Sequence, residues 1–225
     1  MKKYLMLVMV VFHYSLSFAQ PSIVATPPQS APLYADCGNI ILIEIPALED
    51  KYNPSFITTG ASVIKTGKKG EVIVVPNGAT KEVEVMVFSD GKTQGALHYK
   101  VFPPPLPSIQ IKIDTTILIP NQTVEVNPST AFRFEVIADP EFKKQYPKDS
   151  RYILAEWTYI IIRNNKVILC QTFSGVNEVA VSTLKKVPKS GDHISFQNKV
   201  IKRANFQGRT FDIAMPPKVI AFTVK

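Results

Sequence analysis

"KEVEVMVFSDGKTQGALHYKVF", Lys81 to Phe102, decides the fold class. Val83, Val85 and Val87 alternate with Glu82, Glu84, Met86 and Phe88. In an extended chain successive side chains point to opposite faces, so the three valines share one face. That pattern suits a strand in a sheet packed on one side. Asp90-Gly91 then interrupts the run, and both residue types tolerate the positive φ that a tight hairpin demands. The expectation is two antiparallel strands joined by a two-residue turn.

Working outward, the same grammar repeats. "NIILIEIPA", "PSFITTGASVIK" and "GEVIVVP" precede this stretch as short β-branched or alternating runs bounded by turn residues. Asn77-Gly78 in "PNGAT" reads as a second hairpin turn. Closely spaced strands without a helical period predict a small antiparallel sandwich. After "FPPPLPS" (Phe102 to Ser108) the strand pattern restarts. Pro103, Pro104, Pro105 and Pro107 cannot donate to a sheet and stiffen the chain into a spacer. The boundary is therefore placed after residue 107. Residues 20–107 form an Ig-like β domain with an extended leader ("QPSIVATPPQSAP"), and residues 108–225 form a second β domain. The reading is all-β, two antiparallel sandwiches in tandem, the second with one or two short helical turns. In that second unit Asn164-Asn165 reads as a hairpin turn, and "STLKKV" as a short helix capped by Ser182.

Residues 1–19 stand apart. Lys2 and Lys3 precede the apolar run "YLMLVMVVFHYSL", and "SFA" closes it with small residues, a secretory signal-peptide pattern cleaved between Ala19 and Gln20. The expectation is a protein that is periplasmic or otherwise exported, with no integral span after cleavage; an uncleaved membrane anchor is the alternative. Removing Lys2 and Lys3 from the 26 basic residues leaves 24 against 18 acidic, a formal charge of +6. These charges are scattered along strands, which protects sheet edges and does not indicate nucleic-acid binding. The densest runs are "KTGKKGE" and "LKKVPKSGD". Lys185, Lys186, Lys189, Lys199, Lys202 and Arg203 are the candidate partner-facing group, against a plainly solvated surface. Export would allow one disulfide between Cys37 and Cys170, and two separate thiols are the alternative.

Motifs of catalysis are missing. His98 and His193 fall in different units, without metal-ligand spacing. The chain has no nucleophile-elbow, Walker or dinucleotide fingerprint. "NQT" at Asn121 fits a glycosylation sequon and reads as coincidence, and "GKKGE" reads as a solvated turn. Trp157, Tyr159, Phe132 and Phe134 lie on strand-like runs and read as core. No catalytic, cofactor or metal residue is assigned.

"DPEFKKQYPKDSRY", Asp139 to Tyr152, is the densest polar stretch. Asp139 caps a helical turn, Pro140 opens it, and Lys143 and Lys144 end it. Phe142 and Tyr146 share a face that packs on a sheet, while Asp149 and Arg151 hydrogen-bond the turn re-entering a strand. A structural corner accounts for every residue type here.

Around this corner, "FRFEVIADPEFKKQYPKDSRYILAEWTYIIIRNNKVI" and "KSGDHISFQNKVIKRANFQGRTFDI" resemble the last domain of the GldM (PorM) family, periplasmic shaft proteins of type IX secretion and gliding. "PLYADCGNIILIEIPAL" and "SVIKTGKKGEVIVVPNGATKEVEVMV" resemble the preceding Ig-like domain of that family. The resemblance covers residues 23–225 and is structural, not catalytic. It implies a non-enzymatic interaction protein, an accessory component of a cell-envelope assembly. Such a chain would bind protein partners through sheet edges or domain ends, as a monomer or a homodimer. Family members carry an N-terminal membrane helix coupled to a motor; here a signal peptide leads straight into two domains, which implies the outer end of the shaft without the motor coupling. An exported Ig-like module for a cell-wall glycan or host surface is the alternative.

Overall fold

The computed structural model describes residues 22–225; the expected signal peptide and the Ala19–Gln20 cleavage point lie outside them. The first half contains β1 (Val24–Thr26), β2 (Leu33–Tyr34), β3 (Asn39–Glu44), β4 (Pro54–Thr59), β5 (Ala61–Lys65), β6 (Glu71–Pro76), β7 (Glu82–Ser89) and β8 (Lys92–Phe102). They form two sheets of order β1-β3-β6-β5 and β2-β8-β7-β4. Val83, Val85 and Val87 are fully buried between them, with Ile41, Ile43 and Val74 from the facing sheet. The alternation in β7 thus places its valines in the core. Asp90 (φ 49°) and Gly91 (φ 75°) make the tight β7–β8 turn.

Asn77-Gly78 does something else. It carries the chain from β6 in one sheet to β7 in the other, so it is a sheet-to-sheet crossing and not a hairpin. Gly78 lies close to the Asp36 side chain there: a Cβ would lie 2.6 Å from Asp36 Oδ2, which would have to move aside.

After Pro103–Pro107 follow β9 (Ser108–Ile113), β10 (Thr116–Ile117), β11 (Thr123–Val124), β12 (Ala131–Ile137), α1 (Pro140–Gln145), β13 (Arg151–Arg163), β14 (Lys166–Ser174), β15 (Glu178–Ala180), β16 (His193–Ala204), β17 (Thr210–Ile213) and β18 (Val219–Val224). One sheet has the order β10-β9-β12-β15. The other runs β11-β18-β16-β13-β14, with β17 also paired to β16. Asn164 (φ 49°) and Asn165 (φ 60°) form the β13–β14 turn, as their residue type predicts. Phe132, Phe134, Trp157 and Tyr159 fill the core of this sandwich with Phe196 and Phe222. Phe134 lies 4.1 Å from the Trp157 ring, and the indole N–H donates to Val176 O at 2.7 Å. The "STLKKV" helix is replaced by a single 3₁₀ turn at Val181–Thr183 that follows Ala180, and Ser182 caps nothing. The molecule is two antiparallel β-sandwiches in tandem. Among the described residues no helix is long and apolar enough to cross a membrane.

Candidate functional site at the joint between the sandwiches

Three segments meet where the sandwiches touch: the loop after β2, the exit of α1, and the β16–β17 turn. Each is shaped by its own sequence first. Asn39 organises the loop: its Oδ1 accepts from Tyr34 N at 2.8 Å, and its amide donates to the carbonyls of Tyr34, Cys37 and Val74 at 3.0, 2.9 and 3.1 Å. Asp139 caps α1 by accepting from Phe142 N at 2.9 Å, with Pro140 in the first turn and Lys143 and Lys144 in the last. Asn205 Oδ1 accepts from Gln207 N and Arg209 N, both at 3.0 Å, and Gly208 (φ 78°) completes that turn.

Across the joint, Tyr34 meets Phe142 and Tyr146 edge-on, each with ring centroids 5.2 Å apart. Phe142 and Tyr146 stack on each other at 5.3 Å. The apolar face of α1 therefore packs on the other sandwich. Tyr146 Oη donates to Asn39 Oδ1 at 3.1 Å. Asp149 was expected to close its own turn. Instead its carboxylate accepts from Gly38 N at 3.3 Å and from Phe206 N at 3.0 Å, tying the loop to the β16–β17 turn. Arg151 does hold its own turn through Lys148 O at 3.1 Å, and it also donates to Asn205 O at 2.6 Å. Asn205 donates back to Asp36 O at 3.1 Å. Tyr152 Oη reaches Pro105 O in the proline segment at 3.0 Å.

Arg203 is the centre of the joint. It is 2% exposed and so leaves the surface group to which the basic run assigned it. Nη1 donates to Asp149 O at 3.1 Å and points at Cys37 Sγ at 3.2 Å, Nη2 donates to Ala35 O at 3.4 Å, and Nε has no partner. The guanidinium lies 5.2 Å from the centre of the Phe211 ring. Sequence reasoning missed this role because its protein partners lie 54 to 168 positions away. Lys185, Lys186, Lys189 and Lys199 are exposed and Lys202 half-buried; Lys186 Nζ donates to Ile168 O at 2.9 Å.

A thiol, a carboxylate and an arginine in one cluster invite a chemical reading, but the geometry points to fastening. Burial pushes the Cys37 thiol up to about 12 despite the opposing pull of Arg203, so it stays protonated at neutral pH. Burial also raises Asp149, against the pull of the Phe206 and Gly38 amides and of Arg203 and Arg151. Both Asp149 oxygens are occupied by main-chain N–H groups. Cys37 and Cys170 are both free, the first buried and the second exposed. His98 and His193 lie in different sandwiches, on β8 and β16.

No curated protein matches the chain. Among solved structures, the Yersinia pseudotuberculosis adhesin InvE gives a TM-score of 0.30 at 10% identity, covering 90% of this chain and 58% of that one. The Clostridium thermocellum CbhA fibronectin(III)-like modules give 0.27 at 9%, covering 91% and 94%. Immunoglobulin domains 1–5 of Sidekick-1 give 0.36 at 9%, covering 90% and 38%. Likeness at this level carries nothing about function. The family comparison is more specific: residues 22–101 match the GldM third domain and residues 103–225 match the GldM C-terminal domain. With consecutive domains of one family accounting for both sandwiches, the chain belongs to the GldM family.

Proposed function

We propose that this chain is a non-enzymatic, exported structural subunit of a cell-envelope assembly of the type IX secretion and gliding kind, working in the periplasm. One observation carries the reading. The charged groups at the centre of the joint hold main-chain atoms of both sandwiches, Asp149 through Gly38 N and Phe206 N and Arg203 through Ala35 O and Asp149 O. Such a joint makes a stiff two-domain body, which is what a scaffold subunit requires. In this reading residues 1–19 are removed on export, and residues 20–107 and 108–225 act as consecutive units. Lys185, Lys186, Lys189, Lys199 and Lys202 are available to a protein partner in the envelope; Arg203 is not.

The test is an in-cell crosslinked pulldown of the tagged protein from envelope fractions, with N-terminal sequencing of the recovered chain. Enrichment of ring or lipoprotein subunits of a secretion apparatus, on a chain beginning at Gln20, is the expected result. Recovery of wall fragments alone, or of nothing above background, would overturn it.

A further inference from the structure

The C-terminal sandwich leaves two strand edges open beside one cleft. β15 pairs with β12 only from Ala131 to Arg133, so Glu135–Ile137 have β9 as their one strand neighbour. β14 pairs with β13 only from Glu156 onward, so Arg151–Leu154 have β16 alone. A cleft of about 1010 Å³ lies between these stretches, lined by both. Val136 and Ile137 are half-buried in its wall, and Ile153 is 58% exposed. Main-chain groups alternate between a strand's two neighbours, and Phe134 N already donates to Asn177 O at 2.7 Å, so Val136 presents the open main-chain groups of β12. Such groups beside apolar side chains are the elements of strand addition, in which main-chain bonds give affinity and alternate side chains give selectivity.

Charge identifies the occupant. Lys143, Arg151 and Lys202 line the cleft. Its one acidic lining residue, Glu135, is already neutralised by Lys112 at 2.7 Å. Among the described residues Lys143 and Arg151 have no carboxylate within ion-pair distance, and Lys202 has only the exposed Asp212 at 3.7 Å. A whole sheet edge of a second copy cannot enter a gap between two sheets, whereas a single extended segment can. We propose that this cleft receives an extended segment of a partner protein in which apolar and acidic residues alternate. The open edges match about four residues of strand, roughly 13 Å. The inference deepens the proposed structural role and rests on it for the partner's place in the envelope.

The test uses the full exported chain and a fluorescein-labelled ten-residue peptide alternating Val and Glu. Anisotropy measures binding, and amide hydrogen exchange locates it. The expected result is saturable binding that protects Val136 and the amides of Tyr152–Leu154 that point away from β16. It weakens about tenfold or more in the K143E/K202E variant, and for a Val/Lys peptide, because both reverse the charge match. Equal binding of the two peptides, protection elsewhere, or no binding at millimolar concentration would overturn the proposal. So would a concentration-dependent dimer that protects the same amides without peptide. Peptide binding with a failed envelope pulldown would remove the envelope role and keep the cleft; the reverse pattern would do the opposite.

Discussion

Tyr146 and Asn39, 107 positions apart, are joined by a 3.1 Å hydrogen bond from the phenol to the side-chain carbonyl oxygen. The same oxygen also accepts from Tyr34 N, so a residue that shapes one sandwich also receives the other. Y146F deletes only the inter-sandwich bond and should lower stability by about 1 kcal/mol. Y146A also removes the contacts with Tyr34 and Phe142 and should cost about 2–4 kcal/mol. Calorimetry of Y146A is expected to resolve two transitions in place of one, as each sandwich melts separately.

Arg203 donates to carbonyls on both sides of the joint, so removing it strands acceptors as well as leaving a hole. R203A should destabilise by about 3–5 kcal/mol. R203K keeps the charge but cannot match the planar fork, and should still cost about 1–3 kcal/mol. Urea titration of both variants checks the order.

Gly38 packs directly against the β16–β17 turn: a Cβ there would sit 3.0 Å from two carbons of the Phe206 ring and 3.3 Å from Ile73 Cγ2. G38V, which adds more bulk still, should open the joint, at about 1–3 kcal/mol as an overpacking cost. Faster hydrogen exchange at Phe206, whose amide Asp149 holds, is the readout.

The two thiols should separate cleanly in a labelling experiment. Cys170 is exposed and Cys37 is buried with its thiol held protonated. Native protein at mild alkaline pH should take up one equivalent of a thiol reagent, from Cys170, and a second only in denaturant. Prompt native labelling of Cys37 would contradict the burial.

Alkali should dissolve the fold over a defined window. Burial raises Cys37, Tyr52, Tyr99, Tyr146 and Tyr152 each to about 12. The native state then holds these protons more tightly than the unfolded chain. Their contribution is full below the unfolded values of about 8.5 for thiol and 10 for phenol, and disappears as pH climbs toward 12. At the acid end Asp192, held low chiefly by its paired hydrogen bonds from Arg163 at 2.7 Å, contributes stability that is lost as pH falls through its native value. D192N should melt lower than wild type at pH 7, and the gap should close below about pH 4. Asp149, raised by burial, has the opposite slope.

Local signals were legible and distant ones were not. The valine alternation of β7, the Asp90-Gly91 and Asn164-Asn165 turns and the Asp139 cap are decided within a few residues, so the sequence displays them. Asn77-Gly78 has the same chemistry as a hairpin turn, yet the chain there changes sheets; only the partners of β6 and β7 distinguish the two. Arg203 sits in a basic run that looks solvated, and its burial depends on loops contributed by the other sandwich. Asp149 satisfies a local turn on paper but bonds amides on either side of the joint instead. The open edges of β12 and β13 were invisible for a related reason: they are defined by where the pairing of β15 and β14 stops.

The proline segment is one tether between the halves, and the fastened loop at Ala35–Asn39 is another. Swivelling about the covalent thread is thereby coupled to breaking the Gly38, Asn39 and Tyr34 contacts with the other sandwich, all at once.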